Sequence, residues 1–425
     1  MSANIQPPRG TVDILPGESA KWQHLEAKLR GVLQRAAYKE IRLPIFEHTE
    51  LFKRGVGETT DIVNKEMYTF EDKSERSLTL RPEGTAGVVR AYLSHSLSRQ
   101  AAPQKMWYCG PMFRYERPQT GRQRQFHQTG VEAFGSEGPA IDAEVIVLAH
   151  DCMQAVGIQQ FQVHLNSIGC TTCRPAFREK LKEAVRPHLA ELCEDCRDRF
   201  ERNPLRMLDC KNVECQKFYK DLPRPLDNLC EECNAHWQEL LRLLGNVGVK
   251  PVINDRLVRG LDYYGRTVFE LISDDPRLGA QATICAGGRY DYLVESLGGA
   301  ATPAVGWACG MERLSLLLGD DLAASPPLAY VVAGNTDVAL ELVTMIRRAG
   351  LSADMDFPPT GVTARAFKRQ FQQADKSGAH WTLIRGEDEI AAGEVTLKNM
   401  TEGSQSKLPV EKLIEFLREV AGKSV

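Results

Sequence analysis

Two strand-like segments joined by an arginine-rich loop place the strongest constraint on how this chain can fold. Residues 105–115 and 126–134 have the apolar and aromatic side chains that favour β-strands. Two strands on either side of a polar loop predict a long antiparallel hairpin, with a basic loop at one end. The arginines of that loop are Arg114, Arg117, Arg122 and Arg124.

The composition narrows the class of protein further. A length of 425 residues allows two to four domains at about 100–200 residues each. The chain is 43% hydrophobic and 26% charged, which argues against a disordered, collagenous or coiled-coil protein. We expect no membrane span and, because MSANIQPPRG lacks an apolar stretch, no signal peptide and a cytoplasmic location. The net charge of −3 means that a polyanionic partner needs local basic patches.

The spacing of apolar residues predicts a mixed α and β organisation with a helical insertion. Helical spacing appears at residues 18–38 and 142–156, and a strand is predicted over 41–46. From 170 to 245 cysteine, arginine and glutamate are dense and strand signals fade, which indicates a helical insertion within a first domain of residues 1–325. Strands are then predicted at 257–272, 282–286 and 302–309, and a helix is predicted to begin near Met311.

A second domain is predicted over residues 326–425, after Ser325-Pro326-Pro327. Strand-like and helix-like segments alternate there over about 100 residues, which predicts a compact α/β domain. The strands are predicted at 330–332, 351–355, 381–384 and 394–397, and the helices at 337–349, 362–375 and 409–420.

Four short segments carry residue types suited to binding an anionic ligand. Guanidinium groups of the 113–126 segment can bind phosphate bidentately, although a solvated basic loop would look the same. Residues 259–264, Arg-Gly-Leu-Asp-Tyr-Tyr, also fit a turn before a half-buried strand. Glu83 in Arg81-Pro82-Glu83-Gly84-Thr85 fits a carboxylate in the first turn of a helix. Residues 304–314 form a glycine-punctuated strand leading into a helix with Arg313, or a packing glycine pair and a surface arginine.

Eight of the twelve cysteines lie between Cys170 and Cys233. In a reducing compartment such spacings indicate metal sites or free thiols, with labile disulfides as a third alternative. Two zinc sites would use all eight, and each short spacing lets two sulfurs reach one tetrahedral ion. We expect the first two pairs to form one site and the last two the other. The pairs are Cys170 with Cys173, Cys193 with Cys196, Cys210 with Cys215, and Cys230 with Cys233.

Taken together and in this order, these segments resemble the bacterial histidyl-tRNA synthetases, which belong to the class II aminoacyl-tRNA synthetases. The resemblance covers essentially the whole chain, and Arg-Gly-Leu-Asp-Tyr-Tyr after a class II motif 2 is highly specific. It implies an α+β catalytic core with a class II antiparallel sheet of six or seven strands, the helical insertion, and a C-terminal α/β anticodon-binding domain. The matching stretches begin at Pro8-Arg9-Gly10-Thr11 and include Pro44, 113–134, 259–264, 286–291, 304–314 and 373–379.

The resemblance also implies a reaction and its residues. The family joins histidine and ATP into histidyl-adenylate and transfers the histidyl group to the 3′ end of tRNA(His), with Mg²⁺ on the β- and γ-phosphates. The implied ATP-binding residues are Arg114, Glu116, Arg259 and Arg313, and the first and third of these are the implied catalytic residues. The implied histidine-binding residues are Glu83, Thr85, Gln128, Glu132, Arg259, Tyr263 and Tyr264.

The tRNA contacts and the assembly follow from the same resemblance. The motif 2 loop would meet the acceptor end of tRNA, the C-terminal domain would read the anticodon, and motif 1 would form a homodimer interface. Zinc is not a general requirement of the family, so its implied role here is structural. The candidate tRNA-binding residues are Gln119, Arg122, Arg124, Arg365, Lys368, Arg369 and Lys376.

Two other classes of function fit part of the sequence. One is a histidine-binding regulatory paralogue that partners ATP phosphoribosyltransferase without aminoacylation activity. Such paralogues typically lack the tRNA apparatus, whereas this chain keeps Arg114, Arg259, the basic loop and a C-terminal domain. The other is a zinc-dependent RNA-binding module, which would leave the arginine motifs unexplained.

Overall fold

The chain folds into two units, residues 1–323 and 324–425. The computed structural model describes residues 5–58, 60–219, 222–279, 282–319 and 326–422, so Ser325 at the predicted boundary lies outside the described residues. The helices of the first unit are α1 (Pro16–Arg35), α2 (Thr49–Val56), α3 (Thr85–Ser94), α4 (Pro139–Ala155), α5 (Cys173–Val185), α6 (Glu194–Arg202), α7 (Val213–Phe218), α8 (Glu231–Asn246), α9 (Leu293–Ser296) and α10 (Met311–Leu317). Its strands are β1 (Lys39–Glu40), β2 (Phe46–His48), β3 (Thr69–Glu71), β4 (Ser77–Leu80), β5 (Gln104–Phe113), β6 (Gln125–Phe134), β7 (Gln162–Ser167), β8 (Val252–Ile253), β9 (Gly265–Ile272), β10 (Thr283–Arg289) and β11 (Ala304–Gly310).

The first unit is built on an eight-stranded sheet in the order β1-β5-β6-β11-β10-β9-β7-β8. The predicted hairpin is confirmed, because β5 and β6 pair antiparallel from Gln104 opposite Phe134 to Phe113 opposite Gln125. The neighbouring pairs from β6 through β7 are antiparallel as well. The expected six or seven strands become eight among the described residues, because the two-residue strands β1 and β8 add to the edges in parallel. A separate three-stranded sheet has the order β2-β4-β3.

The strand predicted over residues 41–46 is wrong. The described chain has β1 before this segment and β2 beginning at its end, with irregular backbone between them. The carbonyls of Leu43 and Pro44 accept hydrogen bonds from the Arg81 guanidinium at 3.0 and 3.3 Å. A proline and a buried arginine therefore replace the ladder that the apolar pattern predicted.

The strand predicted over 257–272 is confirmed only from Gly265 onward. The earlier part is a loop, in which the Leu257 carbonyl accepts a hydrogen bond from the Asn166 side chain at 2.9 Å. A side-chain donor takes the position that a strand neighbour would fill, and this leaves residues 259–264 free to turn across the sheet.

Helices α1, α4 and α8 pack on one face of the sheet. The predicted apolar side of α1 is confirmed, since Leu25, Leu29 and Leu33 are fully buried or nearly so. They join one core cluster with Trp107 of β5 and Trp307 of β11. The helices cover one face of the eight-stranded sheet, and the other face of that sheet supports the site described below.

A fully buried ion pair joins α4 to the sheet. The Arg289 guanidinium pairs with the Asp142 carboxylate, and also with Asp291 at 3.0 Å. His236 of α8 lies 3.5 Å from Asp142. Burial raises the pKa of Asp142, but the charge and hydrogen bonds of Arg289, together with the nearby His236, bring that pKa below its ordinary value. The network therefore depends on an ionised carboxylate.

We expect Asp142→Asn to lower the free energy of unfolding by about 3–5 kcal/mol, because Arg289 loses its buried counter-charge. A carboxyl whose pKa is depressed by folding contributes stability above its unfolded pKa, and that contribution is lost as the pH falls through the folded value. The difference from wild type should therefore shrink in acid. Urea unfolding at neutral and acidic pH measures it. Asp151→Asn, in the same helix but half-exposed, is the control, and equal losses in both variants would contradict the assignment.

The elements of the second unit are α11 (Thr336–Arg348), α12 (Phe367–Ser377), α13 (Glu387–Ala392), α14 (Leu413–Gly422), β12 (Ala329–Ala333), β13 (Ala353–Met355), β14 (Trp381–Arg385), β15 (Glu394–Asn399) and β16 (Gln405–Pro409). The predicted α/β character of residues 326–425 is confirmed by a five-stranded sheet in the order β13-β12-β14-β15-β16. The strands β13, β12 and β14 run parallel, and the last two add antiparallel. The helix predicted over 362–375 begins only at Phe367.

Among the helices of the described residues, none combines the length and the apolar character that crossing a membrane requires.

Candidate active site

The turn at residues 81–85 opens a helix, as predicted, and fixes a buried carboxylate. Helix α3 begins at Thr85. The Glu83 carboxylate accepts the backbone N–H groups of Thr85 and Ala86 at 2.7 and 2.9 Å, so it satisfies donors that a helix start leaves unpaired. Burial raises the pKa of Glu83, against these hydrogen bonds. Each carboxylate oxygen of Glu83 accepts one backbone hydrogen bond and can accept a second one from a ligand.

A second buried carboxylate, Glu132, projects from β6 across its neighbour. Thr85 donates a hydrogen bond to it at 2.6 Å, and the Tyr290 hydroxyl donates another. Burial raises the pKa of Glu132 to about 8, although both hydrogen bonds lower it. A Cβ at Gly306, directly opposite in β11, would lie 2.0 Å from this carboxylate. The Glu132 side chain therefore requires glycine at this position, which agrees with the packing alternative for Gly306.

Arg259 lies in the loop before β9 and pairs with Glu270. The same carboxylate accepts a hydrogen bond from Thr283 of β10 at 2.9 Å. The ring of Tyr264 lies 5.7 Å from the Arg259 guanidinium and 4.5 Å from the ring of Tyr263. Burial lowers the pKa of Arg259, but Glu270 and the two tyrosines raise it well above its ordinary value. The guanidinium is thus held charged at the wall of a cavity.

Arg114 and Arg313 reach the same cavity from the hairpin and from α10. Arg114 donates to the Pro82 carbonyl at 2.8 Å, and Arg313 donates to the Thr283 carbonyl at 2.6 Å. Burial and the nearby charges of Arg122 and Arg114 lower the pKa of Arg313. The neighbouring guanidinium groups of Arg114, Arg122 and Arg313 repel one another, so the arrangement favours an anionic ligand such as a phosphate chain.

These groups surround one cavity of about 290 Å³. Three buried polar atoms at its wall, the Tyr108 hydroxyl, Oε1 of Gln128 and Nε of Arg259, have no hydrogen-bond partner among the described residues, which indicates a polar ligand. The predicted residues that line the cavity are Glu83, Thr85, Arg114, Arg122, Gln128, Glu132, Arg259, Tyr263, Tyr264 and Arg313.

The remaining residues of the predicted loop lie beside the cavity. Glu116 pairs with Arg122 at 2.6 Å and approaches Arg114 at 3.8 Å. Gln119 shares two backbone hydrogen bonds with Arg122, which close the loop tip. The Arg124 guanidinium stacks 3.8 Å above the Tyr115 ring. In the second unit Lys368, Arg369 and Lys376 are exposed on α12, and Arg365 pairs with Asp356 at 2.7 Å.

Three residues of the site were not given a role by the sequence. Tyr290 lies within the 286–291 stretch that carries the resemblance, so its position was marked but not its hydrogen bond to Glu132. Glu270 is the one charged residue in the apolar run Val268–Leu271 of β9, a signal that could have identified it. Tyr108 lines the cavity from β5 with no distinguishing sequence signal.

The eight insertion cysteines form two clusters, but not in the expected pairing. The sequence prediction joined neighbours along the chain, whereas the first and fourth pairs meet, and the second and third meet. The fold explains this, because the starts of α5 and α8 lie together while α6 and α7 lie between them in sequence. We call them cluster A (Cys170, Cys173, Cys230 and Cys233) and cluster B (Cys193, Cys196, Cys210 and Cys215).

Comparison with known proteins gives matches along nearly the whole chain. The family model described as Histidyl-tRNA synthetase matches residues 10–314, and that of the Anticodon binding domain matches residues 328–420. The histidine--tRNA ligase of Desulforamulus reducens is 49% identical over 418 residues, covering 97% of this chain and 98% of the relative. That of Moorella thermoacetica is 48% identical over 420 residues, covering 97% and 98%. Apo histidyl-tRNA synthetase of S. aureus superposes with a TM-score of 0.82 at 36% identity, covering 97% of this chain and 100% of the other.

Arginines that converge on a cavity over an antiparallel sheet place the chain among the class II aminoacyl-tRNA synthetases. The alignments span nearly the whole of this chain and of each relative, and the histidyl-tRNA synthetase family model covers most of the first unit. The chain belongs to the histidyl-tRNA synthetase family, as the resemblance predicted.

Proposed function

We propose that this protein condenses L-histidine with ATP to histidyl-adenylate and transfers the histidyl group to the 3′ end of tRNA(His). The observation that carries this proposal is that Arg114, Arg259 and Arg313 line one cavity together with Glu83 and Glu132. Cations for a nucleotide and buried polar groups for an amino acid thus share one site.

The arginines stabilise the charge of phosphoryl transfer. The histidine carboxylate attacks the α-phosphate, and pyrophosphate leaves. Arg114 and Arg259 stabilise the negative charge that develops on the α-phosphate, and Arg313 holds the γ-phosphate end. Glu116 contributes by orienting Arg114 and Arg122 through its ion pairs. Because the guanidinium groups are fixed by backbone carbonyls and carboxylates, little reorganisation accompanies the reaction.

The other side of the cavity selects histidine. Glu83 and Gln128 bind the α-amino group, with Thr85 nearby, and this role is supported by Oε1 of Gln128, which has no partner in the described part of the chain. Glu132 and Tyr264 form hydrogen bonds with the imidazole nitrogens, and Tyr263 lies beside the ring. A pocket whose own polar groups need partners rejects apolar amino acids, because those would leave them unpaired.

The remaining substrates and partners complete the proposal. Mg²⁺ would enter with ATP, and the carboxylates of Glu270 and Glu312, which line the cavity, would help to hold an ion bound mainly by phosphates and water. Zinc has a structural role in the insertion, supported by the four sulfur atoms of each cluster. The protein acts as a cytoplasmic homodimer. The tRNA acceptor end meets Gln119, Arg122 and Arg124, and the anticodon meets Arg365, Lys368, Arg369 and Lys376.

The regulatory paralogue is less well supported. Curated relatives that are 48–49% identical over nearly their full length are named histidine--tRNA ligases. The family models of the synthetase and of the anticodon-binding domain both match this chain. A zinc-dependent RNA-binding module leaves the arginine-lined cavity unexplained.

Histidine-dependent exchange between ATP and pyrophosphate tests the function. We expect exchange with L-histidine and none with histidinol, which lacks the attacking carboxylate, or with phenylalanine, which lacks the ring nitrogens. Charging of tRNA(His) should follow when the tRNA is added. A lack of exchange at saturating histidine would contradict the enzyme proposal and favour the paralogue.

A further inference from the structure

The cysteine clusters have the dimensions of mononuclear metal sites. Four thiolates around one zinc ion at about 2.3 Å stand about 3.8 Å apart when the geometry is tetrahedral. A disulfide would bring two sulfurs to about 2.05 Å, and a [4Fe–4S] cluster would attach each thiolate to a different iron. The sulfur atoms lie 3.8 Å apart for Cys170–Cys173, Cys170–Cys230, Cys173–Cys233 and Cys193–Cys210.

Backbone N–H groups point at several of these sulfurs. A thiolate accepts such hydrogen bonds, and outer partners of this kind orient the ligands of metal sites. The donors come from both clusters, so the backbone is arranged for anionic sulfur at each. They are Cys170 N–H to Cys173 Sγ at 3.2 Å, Thr172 N–H to Cys170 Sγ at 3.3 Å, Cys193 N–H to Cys215 Sγ at 3.2 Å, and Asn212 N–H to Cys210 Sγ at 3.4 Å.

Cluster A lies next to contacts that hold the end of the 259–264 loop. The Arg174 N–H donates to the Cys170 carbonyl at 3.0 Å, and its guanidinium donates to the Tyr264 carbonyl. The Gly169 carbonyl accepts the Arg266 N–H at 2.8 Å. The residues before and after the first ligand pair therefore fix the backbone at Tyr264.

Cluster B holds the segment that contacts the middle of the same loop. Asn203, between the second and third ligands, donates to the Asp262 carboxylate at 2.7 Å. The Arg206 guanidinium approaches Asp61 at 3.6 Å and would be 3.8 Å from a Cβ at Gly260. The insertion thus contacts the loop at two points, each close in sequence to a different cluster.

We propose that clusters A and B each bind one zinc ion as a tetrathiolate site, and that the two ions hold the insertion so that Arg174 and Asn203 position the 259–264 loop for the amino acid. The positioning half rests on the proposed function, because it takes Tyr263 and Tyr264 as histidine contacts. The proposed zinc binding is independent of the proposed catalysis, because it is argued from the cysteine geometry. Thiolate sets favour zinc among common divalent ions, and the sites are structural because all four positions are occupied by protein ligands.

Metal content of the full-length protein tests the sites directly. We expect two zinc ions per chain, and one after Cys230→Ser with Cys233→Ser, or after Cys193→Ser with Cys196→Ser. Cys152→Ala, a buried cysteine outside both clusters, should keep two. Replacement by Co²⁺ should give the absorption of tetrahedral cobalt thiolate. Wild-type protein that contains no zinc, and takes up neither zinc nor cobalt, would overturn the proposal.

A split between substrates tests the positioning. Loss of either ion should raise the KM for histidine about tenfold or more, while the KM for ATP changes less than about twofold. Cys230→His keeps a ligand for zinc, so it should keep both the ion and the histidine KM. Where a serine variant does not fold, chelation of wild type and restoration by added zinc give the same comparison. An unchanged histidine KM after metal loss would overturn the positioning. Two bound ions in a wild-type protein without histidine-dependent exchange would instead refute the proposed function alone.

Discussion

Arg259→Ala is expected to reduce histidine-dependent ATP–pyrophosphate exchange by about 10³-fold or more, since it removes a fixed donor from the developing charge at the α-phosphate. Arg259→Lys should still lose about 10²-fold, because an ammonium cannot reproduce the guanidinium fork. The initial rate of exchange at saturating ATP measures both. Arg277→Ala, an exposed arginine outside the cavity, should keep the wild-type rate.

The ion pair with Glu270 makes stability a necessary second measurement. Among the described residues, Arg259→Ala leaves that carboxylate with the Thr283 hydrogen bond alone, so we expect a loss of about 1–3 kcal/mol in the free energy of unfolding. Adding Glu270→Gln should recover most of the stability and none of the exchange. A double variant that also regains exchange would show that Arg259 acts only by holding the fold.

Glu132→Gln is expected to lower kcat/KM for histidine by about 10³-fold or more, because the neutral amide oxygen accepts a hydrogen bond from a ring N–H more weakly than a carboxylate does. The same change should make the protein more stable near pH 8. Burial raises the pKa of Glu132 to about 8 in the folded protein. Histidine-dependent exchange and urea unfolding measure the two effects, and Glu137→Gln, exposed beyond the end of β6, should change neither.

The pH dependence of that stability has a definite sign. A carboxyl with a raised folded pKa binds more protons folded than unfolded, so its contribution falls as the pH rises from its unfolded value to about 8. The variant lacks this loss. Its stability relative to wild type should therefore increase across that range, by roughly 4–5 kcal/mol in total. A difference that does not vary with pH would contradict the assigned burial.

The predictions that succeeded from sequence depended on local chemistry. The β5–β6 hairpin, the helix start at Thr85 and the amphipathic α1 each follow from side chains within a few residues of one another. The three predicted arginines line one cavity because each follows or precedes a strand of one sheet. What the motifs could not supply was the order of those strands, which decides that β11 lies beside β6.

The errors came from contacts between distant segments. The cysteine pairing depends on where α5 and α8 pack, and no spacing along the chain encodes it. Residues 41–46 have the apolar pattern of a strand, but the Arg81 side chain occupies their carbonyls. The sequence left the role of Gly306 open, because the Glu132 side chain that requires glycine there comes from a strand more than 170 residues earlier in the chain.

A continuous chain of polar contacts runs from Arg259 through Glu270 and Thr283 to Arg313. We expect a ligand that draws the Arg259 guanidinium toward itself to alter the hydrogen bonding of Arg313 through these contacts, and the reverse. We therefore expect the binding of the amino acid and the binding of the γ-phosphate end of ATP to be thermodynamically linked. Each substrate should tighten or weaken the other by the same factor, whichever arrives first.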